Sequence, residues 1–532
     1  MQFKHFSPRL GFTYELNRKT VLLGGVAFST LNGGAFEFGV NKVANNYGQW
    51  LVGNLPANGN GSTIPGWGEW DNRPIANPPA LAFTPTIGNA SGSALREFVP
   101  TAKAPTSEAW NVGIQRELRW NMFITASYVG NRELHLPSLL NPINQLSPTM
   151  LSTLCPNPAP ITNSTDPNYG KVISPTCLLS SDNVVGGGPG TSWTSGPQQA
   201  ALQALGLPLA PGVNCPANSN NPGAFPSYYA PYATFGCDWG SGVSIQQAVL
   251  PHPMYNASNS CGGLCNNFDN TGTAFYNALQ VQGQKRFTNG VSFLVSYTLS
   301  KTMSNTDTGF STFNFGSLNA YNQKSEWSIA SNDQTHIVTV SSVYELPIGP
   351  HKQFANYNNT ASRLLLGGWQ VSGVLNYASG TPQSIASNYN PYGNGFNRAN
   401  ITGQAYDLNW HNYYYSLGKQ GQSATAFNPF AFELAGYTGG NSPREVAGIR
   451  SSFFKNENVA LAKHFHFTEG VQAELRMEFF NILNRVQVCG ADYNVADGPL
   501  HFGIVNGNGN GGSNPCQNNR PRQGQAFFKI SF

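Results

Sequence analysis

The sequence predicts an all-β fold, a segment of antiparallel transmembrane β-barrel with about eleven strands, short turns on one side and long loops on the other. Three observations predict it. Charge is scarce while aromatics are plentiful, apolar and polar residues alternate one by one in segment after segment, and the connections between those segments alternate between short and long.

Charged residues make up 10% of the 532 residues and aromatics 12%, with an ordinary hydrophobic fraction of 40%. Soluble domains carry roughly a quarter charged residues. A barrel strand shows lipid one residue in two and keeps the other face polar, which suits this composition and its slightly negative mean hydropathy. The formal net charge is +4 and the basic residues are scattered along the chain, so no footprint for nucleic acid is present. No run of about 18 apolar residues exists to make a transmembrane helix. The richest stretch, Leu364 to Leu366, is broken at once by Gly367 and Gly368. Composition does not shift sharply anywhere, so one architecture is expected over residues 1–532. The opening Met1-Gln-Phe-Lys-His-Phe-Ser-Pro8 lacks the apolar core and small-residue cleavage site of a secretory signal, and for an exported barrel this leads us to expect an incomplete N-terminus.

The strand elements follow from the two-residue period. Val291, Phe293, Val295, Tyr297 and Leu299 fall on one face, and Ser292, Ser296, Thr298 and Ser300 on the other. The segment from Val471 is stricter still: Val471, Ala473, Leu475, Met477 and Phe479 alternate with Gln472, Glu474, Arg476 and Glu478. In a barrel such a charged row faces a wet lumen. Eleven such segments are expected at roughly 7–16, 20–29, 107–118, 121–130, 273–287, 291–300, 333–346, 369–379, 453–464, 470–481 and 522–532, each about the ten residues that a tilted strand needs to cross lipid.

Short links lie at 17–19, 119–120, 288–290, 467–469 and, somewhat longer, 347–368, while long ones lie at 30–106, 131–272, 301–332, 380–452 and 482–521. In a chain of hairpins all the short links share one side of the sheet and all the long ones the other, as periplasmic turns and extracellular loops do. The long connections lack helical periodicity and hold clustered Asn, Gly, Pro and Ser, as in Asn506-Gly-Asn-Gly-Asn-Gly-Gly-Ser513. Aromatics gather near strand ends, Tyr128, Tyr297 and Tyr377 towards the long loops and Tyr14, Trp120, Phe287, Trp369 and Phe532 towards the short turns, fitting two interfacial girdles.

The resemblance to a known family becomes specific at Pro8-Arg-Leu-Gly-Phe-Thr-Tyr14, Trp110-Asn-Val-Gly-Ile-Gln-Arg-Glu-Leu118, Ser127-Tyr-Val-Gly-Asn-Arg132 and Tyr276-Asn-Ala-Leu-Gln-Val281 with Ser296-Tyr-Thr-Leu-Ser-Lys301. It continues at Gly368-Trp-Gln-Val-Ser-Gly373, Ser379-Gly-Thr-Pro382, Arg476-Met-Glu-Phe-Phe-Asn-Ile-Leu-Asn484 and Phe527-Phe-Lys-Ile-Ser-Phe532. In order and spacing these segments resemble the barrel of the Oar-like TonB-dependent transporters. The resemblance implies the C-terminal half of a barrel of about 22 strands. It further implies a plug and an N-terminal barrel half not found in this sequence, a TonB-type energy-coupling complex acting through the plug, and no cofactor. Phe528, Ile530 and Phe532, with an aromatic last residue, resemble the signal by which the barrel-assembly machinery recognises its clients.

Candidate chemistry is sparse. The eight cysteines, Cys155, Cys177, Cys215, Cys237, Cys261, Cys265, Cys489 and Cys516, all fall in long connections, and an even count in an exported protein points to disulfides. Pairing of sequence neighbours, 155 with 177, 215 with 237, 261 with 265 and 489 with 516, is one of 105 connectivities. Cys261-Gly-Gly-Leu-Cys265 lacks the second ligand pair of a zinc site. His464 and His466 are spaced to share a metal but have no evident third ligand, and an interfacial place beside a turn explains them as well. Glu474 and Glu478 offer two carboxylates, yet with Arg476 between them they read as an ion ladder lining the lumen rather than a glycosidase pair. No phosphate loop, nucleophile elbow or HExxH is present, so no reaction is assigned. Trp410-His-Asn-Tyr-Tyr-Tyr415, with Trp410, Tyr413, Tyr414 and Tyr415, could stack on a ligand captured by the outer loops or simply anchor a loop. The expected function is capture and passage of an unidentified ligand across an outer membrane of the Gram-negative type. A surface binding or adhesion barrel and a passive porin-like channel are the alternatives.

Overall fold

The computed structural model describes residues 6–30, 95–98, 103–138, 144–156, 159–160, 172–173, 178, 196–217, 221–240, 245–253, 264–267, 269–306, 318–387, 392, 397–409, 425–435, 438–467, 470–488, 490–498, 501–505 and 519–532. Its frame is a single antiparallel meander of eleven long strands, one for each segment expected from the alternation. In chain order these are β1 (Arg9–Asn17), β2 (Thr20–Thr30), β3 (Thr106–Leu118), β4 (Met122–Ser138), β5 (Asp269–Thr288) and β6 (Val291–Ser304). They continue as β7 (His336–Glu345), β8 (Trp369–Ala378), β9 (Phe454–His466), β10 (Gln472–Phe480) and β11 (Gln523–Ser531). Each pairs with its sequence neighbours, and Ser328–Ile329 adds a two-residue strand beside β6.

The register carries the alternation across the whole sheet. On one face Tyr14, Leu22, Ile114, Ala126, Val281, Tyr297, Val338 and Tyr377 stand side by side on β1 to β8. On the other, one residue along, Gln115, Thr125, Gln282, Ser296, Thr339, Asn376 and Asn456 stand side by side on β3 to β9. The apolar row contains no hydrogen-bonding side chain except tyrosine, and the polar row contains nothing else. A slip of one residue in any pair would exchange the faces, so these two rows fix the register.

The short connections lie together at one end of the sheet. Asn289 and Gly290 join β5 to β6 with φ of 53° and 76°, the left-handed pair that a tight hairpin favours. Trp120 and Asn121, between β3 and β4, are also left-handed, with φ of 61° and 55°. The longer link from β7 to β8 contains a helical turn, Thr360–Leu365, whose first turn is capped by the Asn359 side chain accepting from the Ser362 amide at 2.7 Å.

Two expectations are corrected. β4, β5 and β6 reach farther towards the long connections than ten residues, so Tyr128 and Tyr297 lie within strands rather than at their ends. Backbone pairing needs no apolar face and continues past these tyrosines, with side-chain contacts such as Ser107 Oγ donating to Asn131 Oδ1 at 2.9 Å. The long connections also hold helices, at Pro148–Leu154, Gly196–Ala204, Phe235–Trp239 and Ile245–Val249. At five to nine residues these are too short to register as a helical period.

The long connections build two cores of their own. One centres on Leu146, Leu154, Leu202, Phe235 and Ile245 and draws in Leu318, Tyr392 and Leu434 from two later connections. The second packs Ile385, Phe427, Phe432 and Ile449 against Val488, Phe502 and Val505, joining the connection before β9 to the one before β11. Among the described residues β1 and β11 each pair on one side only, and every residue of both is exposed. As first and eleventh strands of a meander they run in the same direction.

Candidate functional site

The polar face is richest on its last three strands. Gln472, Glu474, Arg476 and Glu478 project from the same face of β10, with His466, His464, Ala462 and Ala460 opposite on β9 and Ser531, Lys529, Phe527 and Gln525 opposite on β11. Arg476 Nε lies 2.8 Å from Glu478 Oε1, and its guanidinium sits over the Phe527 ring at 5.9 Å. Gln525 Nε2 donates to Glu478 Oε2 at 2.6 Å. Lys529 faces Glu474 across the strand pair, so opposite charges meet along the row. His464 and His466 share this face, and among the described residues no group of three or more His, Cys, Asp or Glu is placed to hold a metal.

Where the strands meet the long connections, the chain buries charges that the sequence did not single out. Arg398 pairs with Glu326, both buried, and Glu326 Oε1 also accepts from the Leu318 amide at 2.9 Å. Arg444 donates through Nε to the Glu326 carbonyl at 3.1 Å and through Nη2 to Ser304 O at 2.7 Å and Ser304 Oγ at 2.9 Å. Arg450 donates to Asp333 Oδ2 at 2.9 Å and to the Gly380 carbonyl at 2.9 Å. Asp333 Oδ1 takes the Thr302 amide of β6 at 2.7 Å. Arg485 and Tyr377 both donate to Glu457 Oε1, at 3.2 and 3.1 Å. Arg398 and Arg444 tie the connection before β9 to the one after β6, Arg450 does the same through Asp333, and Arg485 ties the connection before β11 to β9. Burial pushes the Glu445 carboxyl up to about 7 although Arg444 and Arg398 pull it down, and burial lowers Arg444 to about 10. A faint signal existed: in a chain with so few charges, Glu326 and Asp333 flank the apolar Trp327-Ser-Ile-Ala330.

Farther out, Cys215 and Cys237 form a disulfide with Cα atoms 5.3 Å apart. Cys155 is disulfide-bonded. Cys177, Cys261, Cys489 and Cys516 lie outside the described residues, as do the side chain of Cys265 and the segment with Trp410, Tyr413, Tyr414 and Tyr415. Asp492 is buried beside Asp497, and burial followed by that neighbouring carboxyl raises it to about 7, partly offset by the Asn494 amide at 2.9 Å. Phe528, Ile530 and Phe532 stand on the apolar side of β11, with exposures of 59%, 47% and 95%, which leaves them open to a neighbour.

A family model described as outer membrane beta barrel domain matches residues 1–525. The chain belongs to that family. This outer-membrane β-barrel therefore sits in the outer membrane. Its fold is also similar to that of solved outer-membrane receptors and transporters. YddB of Escherichia coli shares 8% identity at a TM-score of 0.39, covering 99% of this chain and 40% of its own. The ferric citrate transporter FecA shares 8% at 0.34, covering 99% and 38%. FpvA of Pseudomonas aeruginosa, bound to pyoverdine, shares 8% at 0.31, covering 99% and 36%. The barrel thus spans two fifths or less of the length of these three proteins. No curated protein matches the chain.

Proposed function

We propose that this barrel segment belongs to an Oar-like TonB-dependent transporter, in which the outer loops capture a large, scarce ligand and a TonB-type motor drives its passage through the lumen. The observation that carries the reading is the polar row from Gln115 to Asn456, backed one residue away by the apolar row from Tyr14 to Tyr377. A sheet that is hydrogen-bonding on one face and apolar on the other across so many strands suits a wide water-filled lumen inside lipid. Because β1 and β11 run in one direction, an all-antiparallel closure needs an odd number of further strands, consistent with about 22 in all. Those strands and the plug are the partners we assign, together with the TonB-type complex, the barrel-assembly machinery acting on Phe528, Ile530 and Phe532, and outer-membrane lipid. In this reading Gln472, Glu474, Arg476 and Glu478 line the lumen and face the plug, and the loop with Trp410 and Tyr413 to Tyr415 contributes to ligand capture. The remaining cysteines pair within the loops.

A surface binding barrel is the second reading, favoured by the two cores that give the loops a fixed shape. Cross-linking in native membranes followed by mass spectrometry tests the choice. Recovery of a plug-bearing polypeptide and a TonB-type protein with this chain supports transport. Recovery of neither, with the chain alone conducting ions steadily in a planar bilayer, replaces transport with a passive channel. Recovery of neither and no conductance leaves the binding barrel.

A further inference from the structure

The basic residues look scattered in the sequence, but the fold gathers them at one rim. The short-turn end of the sheet, described residues 15–21, 115–123, 285–292, 345–369, 463–467, 470–472 and 529–532, holds ten Lys or Arg against three Asp or Glu. The whole chain holds 29 against 25, so the remainder is slightly acidic, at 19 against 22. The entire positive excess sits at this rim.

The charges are also sorted by face. Arg116 follows Val112 and Ile114 on the apolar face of β3 and pairs with Thr20 across to β2. Lys285 on β5 lies on that face too, opposite Met122 and Phe293, and Lys463 on β9 lies there opposite Trp369 and Leu475. The acids Glu15, Glu117 and Glu345 are all one residue out of phase, opposite Val21, Phe123 and Gln370, and so project from the polar face. On β3, β5 and β9 these cations lie towards lipid and the acids of β1, β3 and β7 towards the lumen, while Lys529 on β11 shares the polar face with Glu474.

The densest part is the corner where three turns touch. The Glu117 amide donates to the Lys19 carbonyl at 2.8 Å and the Arg286 amide to the Asn121 carbonyl at 3.2 Å, which sets the turns after β1, β3 and β5 side by side. They bring together Arg18, Lys19, Arg116 and Arg119, all exposed, with Lys285 and Arg286 beside them. Lys285 Nζ is held by the Thr288 carbonyl, Thr288 Oγ1 and the Val291 carbonyl at 2.8 to 3.1 Å, which draws its charge from the apolar band to the turn. Trp120 projects from the middle of this corner at 76% exposure, from a left-handed backbone that a bulky residue adopts only at a cost.

We infer that this corner binds the headgroups of anionic phospholipids in the leaflet on the short-turn side, with Lys19, Arg116 and Arg119 meeting the phosphate and Trp120 seated among the acyl-chain ends. Charge complementarity names the occupant, and the site continues directly from the lipid-facing rows. The inference rests on the outer-membrane location and is independent of the transport reading.

The test uses the full chain in neutral detergent, titrated with dansyl-labelled phosphatidylglycerol or phosphatidylcholine and read by energy transfer from tryptophan. Phosphatidylglycerol is expected to bind more tightly, and Arg116→Gln with Arg119→Gln to weaken it by about fivefold per charge removed, leaving phosphatidylcholine unchanged. Glu117→Gln is expected to leave binding intact. Where the double variant does not fold, the native chain decides: raising salt several-fold must weaken phosphatidylglycerol binding alone. Equal binding of the two lipids, insensitivity to salt, or full binding by a folded double variant overturns the inference. Equal competition by the soluble headgroup glycerophosphoglycerol also overturns it, because a lipid site draws on the acyl chains as well.

Discussion

Arg450 reaches from the end of the connection before β9 to Asp333 in the connection after β6, donating to its carboxylate at 2.9 Å while the same carboxylate takes the Thr302 amide of β6. The Asp333 side chain is fully buried and that of Arg450 is 15% exposed, so water screens the pair little. Removing one partner from such a pair strands the other. We expect Asp333→Asn to destabilise the outer loops by about 3 kcal/mol, near the low end for broken buried pairs. Urea titration in detergent measures it, and a midpoint equal to that of the native protein would refute the role given to this contact.

The disulfide between Cys215 and Cys237 closes a loop with a sequence separation of 22. Chain-entropy reasoning gives such a closure about 3 kcal/mol. Reduction, or Cys215→Ala with Cys237→Ala, is expected to make residues 205–245 the first site of proteolytic cutting while the strands stay resistant. Mapping the fragments by mass checks this.

Glu445 gives the loops a pH dependence whose sign follows from its environment. Burial raises its carboxyl from the ordinary 4.5 to about 7. The folded protein therefore holds this proton more tightly than the unfolded chain does. Its contribution to stability is complete below about pH 4.5 and is lost progressively as pH rises to about 7, amounting to about 3 kcal/mol. Asp492 acts in the same direction. Comparing native protein with Glu445→Gln at pH 5 and pH 7.5 should show a smaller drop in the variant, and an equal drop would remove Glu445 as a cause.

The two faces of β5 should respond oppositely to charge. Val281 lies in the apolar row and Gln282 in the polar one. Val281→Arg is expected to cost about 2–4 kcal/mol in a bilayer, and Gln282→Arg less than about 1 kcal/mol. Reversible unfolding from lipid vesicles gives both values.

The strands were legible because lipid and water act on every second residue, and the resulting alternation is local enough to read directly. Asn289-Gly290 was legible for a similar reason, since its chemistry announces a left-handed turn. Trp120 takes the same backbone region without any such announcement. The loops were opaque because their order is long-range. Leu146 meets Tyr392 and Arg444 meets Ser304 only after the meander has brought distant segments to one end. No periodicity marks such contacts. The outward extension of β4 to β6 escaped notice as well, because backbone pairing without an apolar face leaves no alternating signature. The basic corner formed by Arg18, Lys19, Arg116 and Arg119 stayed hidden because the charges are far apart in the chain and neighbours only through the turns.

Everything rests on which face meets lipid. Spin labels placed singly at residues 277 to 284 of β5 in reconstituted bilayers read this directly through collision with oxygen, which favours lipid, and with a water-soluble nickel complex. The account predicts oxygen maxima at Leu279, Val281 and Gly283 and nickel maxima at Ala278, Gln280, Gln282 and Gln284. Accessibility without a two-residue period, or with the two sets exchanged, contradicts it.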